Sequence, residues 1–122
     1  MNRAIFMALV LLLGSISSAW AYRIMEQSEN AYELVLGEVS LPRSVTGSVI
    51  FKACPECMTD SLRVTSATTY FVNGAPLELA NFLKAAAAIR AMNGGNQNAA
   101  VYVFLDIESQ QVNRLVLDHY NG

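Results

Sequence analysis

The sequence predicts a mainly β domain with one helix, in the order β-β-β-α-β-β, folded as a small barrel or a rolled antiparallel sheet. Three observations predict it. Apolar residues alternate with polar ones over several short stretches, the period of a half-buried strand. One stretch alone, around Ala85-Ala86-Ala87-Ala88, combines helical spacing with the strongest helix former. Asn73-Gly74 stands between two β-rich runs, and both central positions of a type I′ hairpin turn need the positive φ that Asn and Gly adopt most readily.

The 122-residue chain opens on a segment of a different kind. Arg3 supplies a positive charge, Ala4 to Leu13 is unbroken apolar, and Ala19-Trp20-Ala21 follows a small polar stretch. A basic start, a short apolar run and an Ala-x-Ala site form the pattern of a secretory signal peptide. The run is too short for a spanning helix, which needs roughly 20 apolar residues. The expected organisation is therefore a signal peptide at 1–21 and a single small β-rich domain at 22–122. The mature chain starts at Tyr22, works in the periplasm or outside the cell, and does not insert in the membrane after cleavage.

Charge narrows the partners. Eight Lys and Arg stand against ten Asp and Glu, and Arg3 would leave with the signal peptide. Lys52, Arg63, Lys84, Arg90 and Arg114 are scattered singly. Nucleic-acid binding draws on gathered Lys and Arg, so nucleic acid is not an expected partner, and neither is an anionic lipid surface. A protein or a small ligand remains, and the sequence sets no oligomeric state.

Each element follows from local pattern. Tyr32, Leu34 and Leu36 alternate with their neighbours, and alternation resumes with Val39 and Leu41, which predicts a first strand with a bulge at Gly37, ended by Pro42. Val45, Val49 and Phe51 share one face of a second run, Val45 to Ala53, broken at Gly47. A third strand is predicted from Leu62 to Val72, with Leu62, Val64, Ser66, Thr68, Tyr70 and Val72 on one face. After the Asn73-Gly74 turn, Ala75 to Leu79 returns as a short strand that Pro76 confines to an edge.

Asn81 is the expected cap of a helix reaching Met92, with Phe82, Leu83, Ala86 and Ile89 as its apolar stripe. Gly94 stops it, as the residue best suited to a left-handed end. A loop over Gly95 to Asn98 leads to Ala99–Leu105, apolar on both faces and so a central strand. Asp106 to Gln111 turns the chain into a last strand, Val112 to Leu117, and His119 to Gly122 is a tail. Five main strands with one helix between the third and fourth resemble an OB-type barrel in element order over most of residues 22–122.

Cys54-Pro55-Glu56-Cys57 is the one chemical motif. An even cysteine count in an exported chain favours a disulfide, here a local bridge across a tight loop. The stretch VIFKACPEC also resembles the strand leading into the CxxC of thioredoxin-like proteins, and TTYFVNG resembles their later proline-containing strand. That resemblance implies a redox dithiol. This chain departs from it in three ways: Met58-Thr59-Asp60-Ser61 runs straight into a strand, Glu56 and Asp60 oppose a thiolate, and no cis-proline candidate precedes Thr69. Metal is the third reading: one CxxC with the lone His119 lacks the second ligand pair of a zinc site, while Met58 beside Cys57 suits a soft ion such as Cu(I).

Other groups carry less. Asp106 and Glu108 fit turn geometry better than a calcium or catalytic site. Tyr32, Tyr70, Phe71, Tyr102 and Phe104 at strand spacing fit core and cross-strand packing better than a glycan platform. With a single histidine there is no assembled nucleophile, base and oxyanion set, so no catalytic residue, cofactor or metal site is assigned. The expectation is an exported binding or accessory domain, not an enzyme, with a Cys54–Cys57 bridge. The alternative is a periplasmic thiol-disulfide or soft-metal-binding protein centred on those cysteines.

Overall fold

The computed structural model describes residues 28–119. The expected signal peptide, the expected start at Tyr22 and the last residues of the tail lie outside the described residues. Eight strands and two helices follow one another: β1 (Glu29–Val35), β2 (Val39–Ser40), β3 (Ser48–Lys52), β4 (Thr59–Arg63), β5 (Thr69–Val72), β6 (Ala75–Leu77), α1 (Leu79–Ala91), α2 (Gly95–Asn98), β7 (Ala99–Asp106) and β8 (Val112–His119). They build two sheets, one in the order β1-β7-β8-β5-β6 and one in the order β2-β3-β4. The protein is thus mainly β with one principal helix, as its patterning predicts. The barrel does not close, and the larger sheet is not wholly antiparallel, because β5 runs parallel to β8.

β7 lies between β1 and β8 because its sequence buries both faces. Val101 and Val103 are fully buried, and Tyr102 and Phe104 on the other face are half-buried. From the neighbouring β8, Leu115 and Leu117 are fully buried beside them. One core contains Val101, Val103, Leu115 and Leu117 together with Leu36, Val49, Phe51, Val64, Tyr70 and Phe82, so both sheets and the helix share it.

The predicted third strand, Leu62 to Val72, is two strands with a corner between them. Its inward set keeps phase across the break: Val64, Thr68 and Tyr70 are buried, while Ser66 is exposed. The threonines make the corner. The Thr68 hydroxyl accepts the Thr65 N–H at 2.9 Å and donates to the Val112 carbonyl at 2.7 Å, and Thr68 N–H closes back on the Thr65 carbonyl at 3.1 Å. Threonine side chains that bond nearby backbone compete with a ladder, and here the competition turns the strand from one sheet to the other.

The first strand also changes sheet. Instead of the bulge expected at Gly37, Leu36–Glu38 forms one 3-10 turn, after which β2 pairs with β3. Leu36 is fully buried and anchors that turn. Pro42 is buried just beyond β2. Val45, expected to share an inward face with Val49 and Phe51, is instead 53% exposed, because the chain turns through Ser44–Gly47 before β3 begins.

Helix α1 buries Phe82, Ala86 and Ile89, three members of the expected stripe, while Leu83 is half-buried. Phe82 stacks its ring 5.2 Å from that of Tyr70. Full burial of a phenylalanine contributes on the order of 1.5–3 kcal/mol. The helix begins earlier than expected: Glu78 is the N-cap, without a side-chain bond, and Asn81 sits in the first turn. Leu79 packs on the core there, so tertiary burial outweighs the cap preference of Asn81. At the other end Gly94 takes the left-handed conformation (φ 75°), but the chain then winds into α2 where a loop was expected. Gly95 is buried against the end of α1, and a Cβ on it would collide with the Ile89 carbonyl.

The Asn73-Gly74 hairpin is present as predicted, with φ of 49° and 83° and Val72 facing Ala75. β6, with Pro76, forms the sheet edge. The two glycines predict different costs. Gly74→Val meets no neighbour, so only its φ opposes it, and it should cost at least about 1 kcal/mol. Gly95→Ala forces backbone apart and should cost roughly 2 kcal/mol or more. Denaturant midpoints check both; an unshifted midpoint for Gly95→Ala would contradict the close seating of α2 on α1.

Candidate functional site

β3 points Val49 and Phe51 into the core and Ile50 and Lys52 outward. Its hairpin with β4 ends at the Lys52–Thr59 pair, which leaves Ala53 to Met58 as the connecting loop. Cys54 and Cys57 are joined there by a disulfide, their Cα atoms 5.0 Å apart, and the Cys57 N–H donates to the Cys54 carbonyl at 3.1 Å. Cys54 is exposed and Cys57 half-buried. β4 begins two residues after Cys57, so the thiols lack the helix N-terminus that lowers thiol pKa in thioredoxin-like proteins. Closing so small a ring contributes about 2 kcal/mol in the chain-entropy picture.

The disulfide loop forms one end of a groove of about 650 Å³. Glu33, Leu34 and Val35 of β1, with Gly37 and Glu38, make one wall; Lys52, Ala53, Cys54 and Pro55 make the other. At the apex, Val39 and Ser40 of β2 pair with Phe51 and Ile50 of β3. The groove exists because β1 stays with β7 up to Val35, while β3 stays with β4, and the strands diverge on either side of the 3-10 turn. Leu34 and Phe51 are buried at its base, and Val35 and Ile50 are 36% and 42% exposed at its rim. Glu33, Glu38 and Lys52 are its charged groups.

The other singled-out residues lie apart from this groove or serve packing. Met58 is 88% exposed beside the disulfide loop. His119 ends β8 opposite Ala99, its N–H donated to the Asn73 side-chain oxygen at 2.8 Å. Among the described residues no three His, Cys, Asp or Glu side chains come together to hold a metal ion. Asp106 accepts the Ser109 hydroxyl at 2.8 Å within its turn, and Glu108 is exposed.

The aromatics divide between core and sheet face. Tyr32 packs against Phe51 with ring centroids 5.2 Å apart. Phe104 lies under the Arg114 guanidinium at 3.9 Å, Tyr102 donates to Glu33 at 3.4 Å, and Phe71 is half-buried. Tyr70 is buried with its hydroxyl unpartnered among the described residues, and burial raises its pKa.

Among the groove residues, sequence reasoning gave a chemical role only to Cys54, for its sulfur, and read Leu34, Gly37, Val39 and Phe51 as strand positions and Lys52 as a lone cation. The signal for the rest was the glycine interrupting an otherwise regular alternation at Gly37, which marks where a strand leaves its neighbour. Comparison with protein families, curated proteins and solved structures finds no match to this chain. Fold and site together define a class: a small two-sheet β domain with a local disulfide at one end of a groove between diverging strands.

The cysteines yield a prediction. A Cys54→Ser, Cys57→Ser double variant should lose about 1–3 kcal/mol of stability. The oxidised protein should not turn over in insulin reduction, because Glu56 and Asp60 flank the thiols and no helix follows. A Cys54 pKa well below 7 by pH-dependent alkylation, with measurable turnover, would contradict a structural bridge.

Proposed function

We propose that this chain is an exported binding domain, built as a partly open OB-like barrel, whose ligand site is the groove between β1 and β3. Support for the barrel comes from the order of pairing. β2, β3 and β4 pair in turn, the single Arg63–Gln111 bridge leads across to β8, β8 pairs with β7, β7 with β1, and β1 continues through the 3-10 turn into β2. Setting the short edge strand β6 aside and counting β1 with β2 and β4 with β5 as single bent strands leaves five, with α1 between the third and fourth. An OB fold is a five-stranded, partly open Greek-key barrel that binds ligands along its strand 2–3 face. β3 and β4 are those strands here, and the groove draws on β3, the loop after it and only Thr59 of β4.

The observation that carries the binding reading is the groove itself. It combines a buried apolar base, two exposed apolar side chains at the rim and three charged groups, the mixture that binds and orients a ligand. Export rests on the signal-peptide pattern at 1–21, and the disulfide is compatible with an oxidising compartment. No helix of the described residues is long and apolar enough to cross a membrane. The mild acidity and scattered cations support a protein or small-molecule ligand over nucleic acid.

One preparation tests this. Protein recovered from the cell envelope should have an intact mass beginning at Tyr22; a membrane-embedded chain beginning at Met1 would contradict export. The same material, isotope-labelled, is then titrated with short peptides, oligosaccharides and small aromatic acids. Amide shifts should centre on Glu33–Val39 and Ile50–Cys54 and vanish in Ile50→Arg, an exposed position whose change leaves the core intact. Shifts centred on another surface would contradict the assignment of the groove.

A further inference from the structure

Resting on that binding reading, we propose that the ligand is an extended segment of a second polypeptide, taken into the groove as an added strand. The lining carries the inference. A sheet face contributes alternate residues, because successive side chains point to opposite sides. Both walls here contribute consecutive residues, Glu33-Leu34-Val35 on one and Lys52-Ala53-Cys54-Pro55 on the other. Along β1, consecutive lining means that the backbone edge itself faces the groove; the opposite wall is Lys52 at the end of β3 and the bend that follows it.

The β1 edge is open: among the described residues β1 pairs only with β7, while on the facing side β3 leaves only Lys52 beyond its pairing with β2. An open strand edge presents unpaired N–H and C=O groups along its length. An extended peptide supplies the complementary groups at the same spacing, and adding a strand satisfies them while side-chain pockets choose the sequence. Val35 and Ile50, exposed at the rim, provide the apolar contacts for such a strand, above Leu34 and Phe51 of the core.

Charge and shape refine the partner. Glu33 and Glu38 outnumber Lys52 along the walls, so a segment alternating apolar residues with Lys or Arg fits best. A sugar fits poorly, since stacking needs an open ring face and the one aromatic lining the groove, Phe51, is 2% exposed. A second copy of this chain fits poorly too. Among the described residues its other edges are β6, where Pro76 lacks an N–H, β4, which carries Asp60 and Arg63, and β2, which is two residues long with its Val39 carbonyl taken by Arg90.

The test is selection of a random twelve-residue peptide library on the chain starting at Tyr22, with counter-selection on Ile50→Arg and, independently, on Val35→Arg. Enriched peptides should alternate apolar with polar residues and carry a basic side chain. Binding should protect amides of Glu33–Val35 and Lys52–Cys54 from hydrogen exchange. N-methylation of alternate peptide amides should weaken binding at least tenfold. Binding that tolerates N-methylation at every position, or enrichment that survives both rim variants, would overturn strand addition. If no peptide binds while other probes still shift the groove amides, strand addition fails and the groove remains a ligand site. If no probe moves those amides, both readings fail together.

Discussion

Between Val35 and Val39 the chain leaves one sheet for the other, and the Val39 N–H donated to the Leu36 carbonyl fixes that change of direction. The corner is held from inside by Leu36, which no solvent reaches, and from outside by α2, whose Asn96 lies against Gly37. Arg90, in the last turn of α1, donates to the Val39 carbonyl at 3.0 Å, so the helix grips the strand immediately after the corner. Without this turn β1 would continue beside β3, the two sheets would merge along that side, and no groove would open. The disulfide loop would then cap an ordinary hairpin. Its position at a cleft follows from the corner, not from the cysteines.

A second corner balances the first. Thr68 uses one hydroxyl both to receive the Thr65 N–H and to reach the Val112 carbonyl, in a place where water does not compete. A buried hydrogen bond of this kind contributes a net 0.5–1.5 kcal/mol, but leaving its partners unpaired costs more. Together the two corners allow one core, from Leu36 and Val49 to Leu115 and Leu117, to be covered by both sheets and by Phe82 of the helix. Against that core the four-residue disulfide ring is a minor stabiliser. Its ring is too short to remove much freedom from the unfolded chain.

Much of this was legible from residue order. A run apolar on both faces identified β7 as a central strand, Asn73-Gly74 announced its hairpin, and Phe82, Ala86 and Ile89 marked the buried helix stripe. The sequence was less informative where tertiary contacts override local preference. Asn81 is a better cap than Glu78, yet burial of Leu79 starts the helix earlier. The inward set around Val64 and Thr68 keeps its phase through the second corner, so periodicity alone reads two strands as one. Likewise Gly37 looks the same in a bulge and in a 3-10 turn; which occurs depends on α2, whose seating no local pattern announces. The groove shares this origin. Glu33, Val35, Ile50 and Lys52 come together only because two strands part, and that is a property of pairing, not of spacing.

The parting of β1 and β3 is therefore the central claim, and hydrogen-bond couplings measured through the backbone of the isotope-labelled chain test it directly. Couplings should run along β1 to β7 from Glu29 to Val35, and between β2 and β3 only at the Val39–Phe51 and Ser40–Ile50 pairs. None should join Glu33–Val35 to Lys52–Cys54. A continuous ladder from β1 to the end of β3 would close the groove, merge the sheets along that side and contradict the account.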